Sequence, residues 1–181
     1  MSQYAKYLAQ FFLLLLFQVL LLNNVALFWW SQPTGFPVFT PYIYPLFLLL
    51  LPFEAPVWLL LIIGFVCGGI VDAFMNTPGM HAFAMVLIAY LRTNVLLALL
   101  PKNMKEYSQL SPSVKTMGWP PFLTYSTFLI LIHHSVFFII ELWSLNNFGY
   151  LILKIFASTL TTMLLVTVYL LLFSHRANTQ R

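Results

Sequence analysis

Between Tyr7 and Phe173 the sequence is a succession of long apolar runs, broken by short polar or proline-bearing stretches. A helix rises about 1.5 Å per residue, so about 20 apolar residues cross a hydrocarbon layer about 30 Å thick. Only 7% of the 181 residues are charged, whereas a soluble domain carries about 25% to meet water. Disorder is excluded from the other side, because disordered chains are poor in the aliphatic and aromatic residues that dominate here. The expectation is an all-α integral membrane protein forming one domain over 1–181.

Six crossings are expected. The first covers about 7–28 and ends at Trp29-Trp30, rings favoured at the headgroup level. Its apolar run lacks the small residues of a signal-peptidase site, so it reads as an uncleaved anchor. Prolines at 33, 37, 41, 45, 52 and 56 interrupt the next stretch of chain. Each lacks a backbone donor and clashes inside a helix. The second crossing, 41–51, is therefore short or kinked and must be sheltered by its neighbours, since lipid does not tolerate exposed irregular backbone. The others are 57–75, 81–100, 121–143 and 151–173, with a polar loop at 101–120.

The cations orient this bundle. Lys6, Lys102, Lys105, Lys115, Arg176 and Arg181 all fall on one side of six crossings, and the opposite connections hold no Lys or Arg. Cytoplasmic loops are enriched in such residues, so both termini are expected in the cytoplasm. The net charge of +4 then reports topology, and nucleic-acid binding, which needs cations on one folded surface, is not expected.

Polar groups within the crossings are the candidate functional residues, because an intramembrane charge costs at least ~3 kcal/mol at mid-bilayer on insertion scales. Asp72, His81, Glu141 and Lys154 should converge on the outer leaflet. Glu141 and Lys154 flank the Asn146-Asn147 turn nearly symmetrically and could pair. Arg92 lies about 18 Å below the outer end and is expected to snorkel toward the cytoplasmic side. Such charges either fix helix packing or line an ion or substrate path. His133 and His134 are adjacent, hence about 100° apart on a helix, and do not naturally share one ion. Cys67 is the single cysteine. No metal site, cofactor or catalytic set is expected: the chain has no nucleophile elbow, P-loop or carboxylate pair at helical spacing. Gly64 and Gly68 form a GxxxG pair, extended by Gly69, which suits close helix approach within the chain or against another protein. Gln18, Asn23 and Asn24 read as polar glue or partner contacts.

Several segments together resemble one family. They are Pro41–Pro45, Leu51–Pro56, Gly64-Phe65, Asp72–Phe74, Asn76–Ala82 and Ala89–Arg92, with Ile132–His134, Glu141 and Asn23–Phe28. The chain thereby resembles the MreD family of bacterial rod shape-determining proteins over nearly its whole length, most specifically between Pro41 and Pro101. The resemblance implies a non-enzymatic, multi-pass component of the bacterial inner membrane within the cell-elongation machinery, supporting cell shape and peptidoglycan synthesis. It implies direct association with the single-span protein MreC, and work alongside MreB, RodA and a penicillin-binding transpeptidase, among membrane lipids. It also implies a six-helix architecture similar to the substrate-binding subunits of ECF-type vitamin importers. Gly64, Gly68, Gly69, Asp72, Pro78 and Gly79 carry the strongest match and are the expected helix-packing or partner-binding core. A small-molecule binding or transport subunit, or translocation of a lipid precursor, is the alternative.

Overall fold

A computed structural model of the chain describes residues 3–26, 37–100, 110–143 and 147–174, and every element among them is a helix. They are α1 (Gln3–Phe17), a π-helical turn (Gln18–Leu22), α2 (Asn23–Ala26), α3 (Pro45–Leu49), α4 (Val57–Met75), α5 (Met80–Leu99), α6 (Val114–Met117), α7 (Trp119–Leu142) and α8 (Phe148–Ser174). Four of these, α4, α5, α7 and α8 to Phe173, are long and apolar enough to cross a membrane, and Tyr7–Leu22 is a shorter apolar stretch. Phe65, Phe74, Phe83, Phe156 and Leu160 face outward, while Gln18, Asp72, His81, Arg92 and Lys154 are buried. A soluble protein sorts its residues the other way round. This is a membrane-embedded helical protein.

Helix limits follow local chemistry. Pro56 takes an extended conformation just before α4, and prolines occupy the first turns of α3 and α7, where no intrahelical donor is lost. Helix α4 stops at Asn76 in the left-handed region, and Gly79, also left-handed, opens α5. The 76–79 turn thus reverses the chain within a few residues, which glycine permits without Cβ strain. Gly118, between α6 and α7, also takes a positive φ of 82°.

The 76–79 reversal pairs α4 with α5, and α7 packs against both α5 and α8. Gly64 and Gly68 make the α4–α5 contact close. A Cβ on Gly68 would lie 2.5 Å from Ala82 Cα, and one on Gly64 would lie 3.1 Å from the Met85 carbonyl oxygen. The GxxxG face is therefore occupied inside the chain. Gly69 points into open space, as does Gly79.

The expected 41–51 helix is the largest departure. Only Pro45–Leu49 is helical, and the chain from 37 to 44 is not. Even so, residues 40–51 are continuously buried and form the middle of the core, against Leu14, Met85, Ile88, Phe122, Leu129 and Phe137. The spans 81–100, 121–143 and 151–173 shift by one to three residues and 57–75 coincides with α4, while the first, 7–28, becomes the interrupted helical stretch that starts at Gln3. The described part of the 101–120 loop contains α6 and the start of α7, and Phe53 N donates to the Leu110 carbonyl at 3.0 Å. Trp29-Trp30, Lys102, Lys105, Asn146, Arg176 and Arg181 lie outside the described residues, and so does the Lys6 side chain.

Candidate functional site

A buried stretch of non-helical chain has N–H and C=O groups with no ladder to join, and each must find a partner. Around residues 37–44 those partners are three side chains, from the π-helical turn and from α8. Gln18, in the π-helical turn, accepts from Ile43 N at 2.8 Å and donates to the Pro41 carbonyl at 3.3 Å. Its amide also donates to Asn23 Oδ1 at 2.9 Å. The π turn breaks the regular hydrogen-bond ladder where this side chain turns inward. On α8, Ser158 accepts from Thr40 N at 3.0 Å and donates to the Val38 carbonyl at 3.2 Å. One turn on, Thr162 accepts from Tyr42 N at 3.1 Å and meets His134 Nε2 at 3.3 Å.

The lower part of the segment is held from α5 and α7. Tyr125 donates its hydroxyl to the Leu49 carbonyl at 3.1 Å. Arg92 does not snorkel. It is wholly buried, and its Nη2 donates to the carbonyls of Leu51 and Pro52, at the end of α3. The guanidinium supplies donors to carbonyls of the chain just beyond that helix, which have no ladder to join. That local demand outweighs the pull toward the surface.

The cluster expected at the outer leaflet divides in two. Asp72 accepts three bonds: from Thr77 Oγ1 at 2.9 Å, His81 N at 3.0 Å and Ala82 N at 2.9 Å. It caps α5, where helix donors and the positive dipole end favour a carboxylate. Glu141 and Lys154 pair separately at 2.6 Å, with the lysine side chain 0% and the glutamate 17% exposed. The ammonium also lies 4.6 Å from the Phe138 ring centroid. Pro78 is exposed on the α4–α5 turn.

Tyr44 joins the histidines. Its hydroxyl lies 3.0 Å from His81 Nδ1 and 2.7 Å from His133 Nε2, so it can donate to one ring and accept from the other. His134 turns away, with Nδ1 2.8 Å from the Ile130 carbonyl. Tyr42 sits among these rings, 4.8 Å from His81 and 5.5 Å from His134 between centroids. Among the described residues, Tyr42 Oη, His81 Nε2 and His133 Nδ1 are buried without a hydrogen-bond partner. No three His, Cys, Asp or Glu side chains are grouped to hold a metal among the described residues. Tyr42, Tyr44, Tyr125, Ser158 and Thr162 were not among the sequence candidates. The four-residue spacing of Ser158 and Thr162, which places two hydroxyls on one helix face, was the available signal.

Two grooves open on the surface. One, about 580 Å³, runs between α1 and α4 and is almost wholly apolar, lined by Leu8, Phe11, Leu59, Ile62 and Val66, with Glu54 at its mouth. The other, about 460 Å³, lies between α1, α8 and the chain before α6. Compared with known proteins, the chain matches no family model, no curated protein and no solved structure.

Proposed function

We propose that this protein is a non-catalytic membrane scaffold of the MreD type, which binds MreC through its transmembrane helix and supports wall synthesis during bacterial elongation. The observation that carries the reading is how the inner polar groups are used. Gln18, Asp72, Arg92, Tyr125, Ser158 and Thr162 bond the protein's own backbone, and Lys154 bonds Glu141. These contacts build a rigid body. What it offers outward is apolar, and the α1–α4 groove, with one carboxylate at its mouth, suits a partner helix flanked by a cation. The resemblance between Pro41 and Pro101 supplies the partner's name.

In this reading the chain crosses the bacterial inner membrane six times, with both termini in the cytoplasm. The buried stretch over 41–51 serves as the short, kinked second crossing. MreB, RodA and its transpeptidase belong to the larger assembly.

Co-purification tests the proposal. Ile62→Trp and Val66→Trp fill the groove from exposed positions and should abolish recovery of MreC while the melting temperature stays near that of the unaltered protein. Leu160→Trp, on the outward face of α8, should leave recovery intact. If the unaltered protein does not recover MreC, the scaffold reading fails. If the groove variants still recover it, the groove is not the interface.

A second reading, a small-molecule binding or transport subunit, is favoured by the unpartnered atoms of Tyr42, His81 and His133. A compound that occupied this cluster would raise the melting temperature by mass action, and His133→Phe would remove that shift.

A further inference from the structure

The groove between α1 and α8 differs from its neighbour in being amphipathic. Its walls are Leu13, Leu50, Leu170 and Phe173, and its rim carries Gln10, Ser113, Lys115 and Tyr169. Leu13 and Phe173 are themselves exposed, so the walls continue onto the outward surface of the bundle. Gln10 Nε2 donates to the Tyr169 hydroxyl at 3.1 Å. That bond occupies the phenol as an acceptor and leaves its own proton to donate toward the rim. The Lys115 side chain is exposed and lines the same groove.

Lys115 is the charged residue among those lining the groove, and no carboxylate lines it. A basic pocket between membrane helices on the cytoplasmic side is complementary to an anionic headgroup. Apolar walls running away from the rim are complementary to an acyl chain. One class of molecule carries both parts in the required order.

We infer that the α1–α8 groove is a binding site for an anionic phospholipid, with the phosphate held by the Lys115 ammonium and the Tyr169 hydroxyl and an acyl chain against Leu13, Leu50 and Leu170. The inference stands whether or not MreC is the partner, because it uses a different groove and other residues.

The test uses the full-length protein in detergent, titrated with phosphatidylglycerol, phosphatidylcholine of the same chains, or inorganic phosphate, and read by thermal melting and native mass spectrometry. Phosphatidylglycerol should raise the melting temperature and remain bound, and should outcompete phosphatidylcholine by about tenfold, the ratio expected when one charge contact is lost. Lys115→Gln, at an exposed position, should remove that preference without altering the lipid-free melting temperature. Leu13→Trp, which fills the wall from an exposed position, should weaken binding of both lipids. Equal affinity for the two lipids, or a preference that survives Lys115→Gln, overturns the site. A shift by inorganic phosphate equal to that by phosphatidylglycerol overturns the lipid as its occupant.

Discussion

Gln18 shows what one side chain contributes when the surroundings offer no water. It accepts the Ile43 N–H and supplies a donor to the Pro41 carbonyl, so removing it strands both groups in the core. A buried unsatisfied group costs about 1–3 kcal/mol. Gln18→Leu, close in volume but without the amide, should lower the melting temperature clearly, while Asn24→Leu should not, because Asn24 is exposed and bonds only its own helix at Leu20 O. Glu141 and Lys154 allow a sharper comparison. Glu141→Leu takes the carboxylate away from a buried ammonium, a loss of about 3–5 kcal/mol, whereas replacing both partners by apolar residues is often close to neutral. A double-mutant cycle followed by chemical denaturation should therefore show strong coupling, with Glu141→Leu/Lys154→Met more stable than Glu141→Leu alone. Additive losses would mean that the pair contributes little. The pairing was legible beforehand from the symmetry of the two residues about their turn. The environment of Arg92 was not, because its acceptors are carbonyls 40 and 41 residues away, and a carbonyl carries no residue type to read.

At the scale of elements, the α4–α5 hairpin is the part most fully written in the sequence. The span 57–75 coincides with α4, and the Asn76–Gly79 turn appears where expected. The glycine pair could have served an internal or an external contact, and the structure assigns Gly64 and Gly68 to the internal one. This changes what a substitution should do. Gly68→Ala forces a methyl into the backbone of His81 and Ala82, and overpacking of this kind costs about 1–3 kcal/mol. Gly69→Ala, with open space around it, should be neutral or slightly stabilising, since alanine is the better helix former by about 1 kcal/mol. Thermal melting of the two variants in detergent separates these outcomes, and equal losses would mean that the close approach is not as described. The 37–44 segment was only half legible. Its prolines announced that no ordinary helix could form, but the hydroxyls and amide that make the alternative possible belong to α8 and to the π-helical turn after α1. No local pattern records a bond between Thr40 and Ser158, 118 residues apart.

For the whole molecule, the membrane character was readable because it is a property of composition, and an apolar exterior around a core that also holds polar groups is its three-dimensional counterpart. Orientation rests on the cations, most of which lie outside the described residues, and it can be tested with the described ones. Pro78 and Lys115 are exposed on the α4–α5 turn and on α6, and Cys67 is buried, so single introduced thiols should report cleanly. Pro78→Cys should react with a membrane-impermeant maleimide applied to the outer face of the membrane, and Lys115→Cys only after permeabilisation. The reverse pattern would invert the proposed topology.

The lacing of residues 38–43 by Gln18, Ser158 and Thr162 also imposes a timetable. Ribosomes add about 5–20 residues per second, so about 6–24 s separate the synthesis of Thr40 from that of Ser158, 118 positions later. For that interval the backbone of the central segment lacks two of the three side chains that finally hold it, and it must borrow partners from water or from the insertion machinery. Assembly of this protein is therefore closed by its last helix, and a nascent chain stalled before Phe148 holds a centre that has nowhere dry to go.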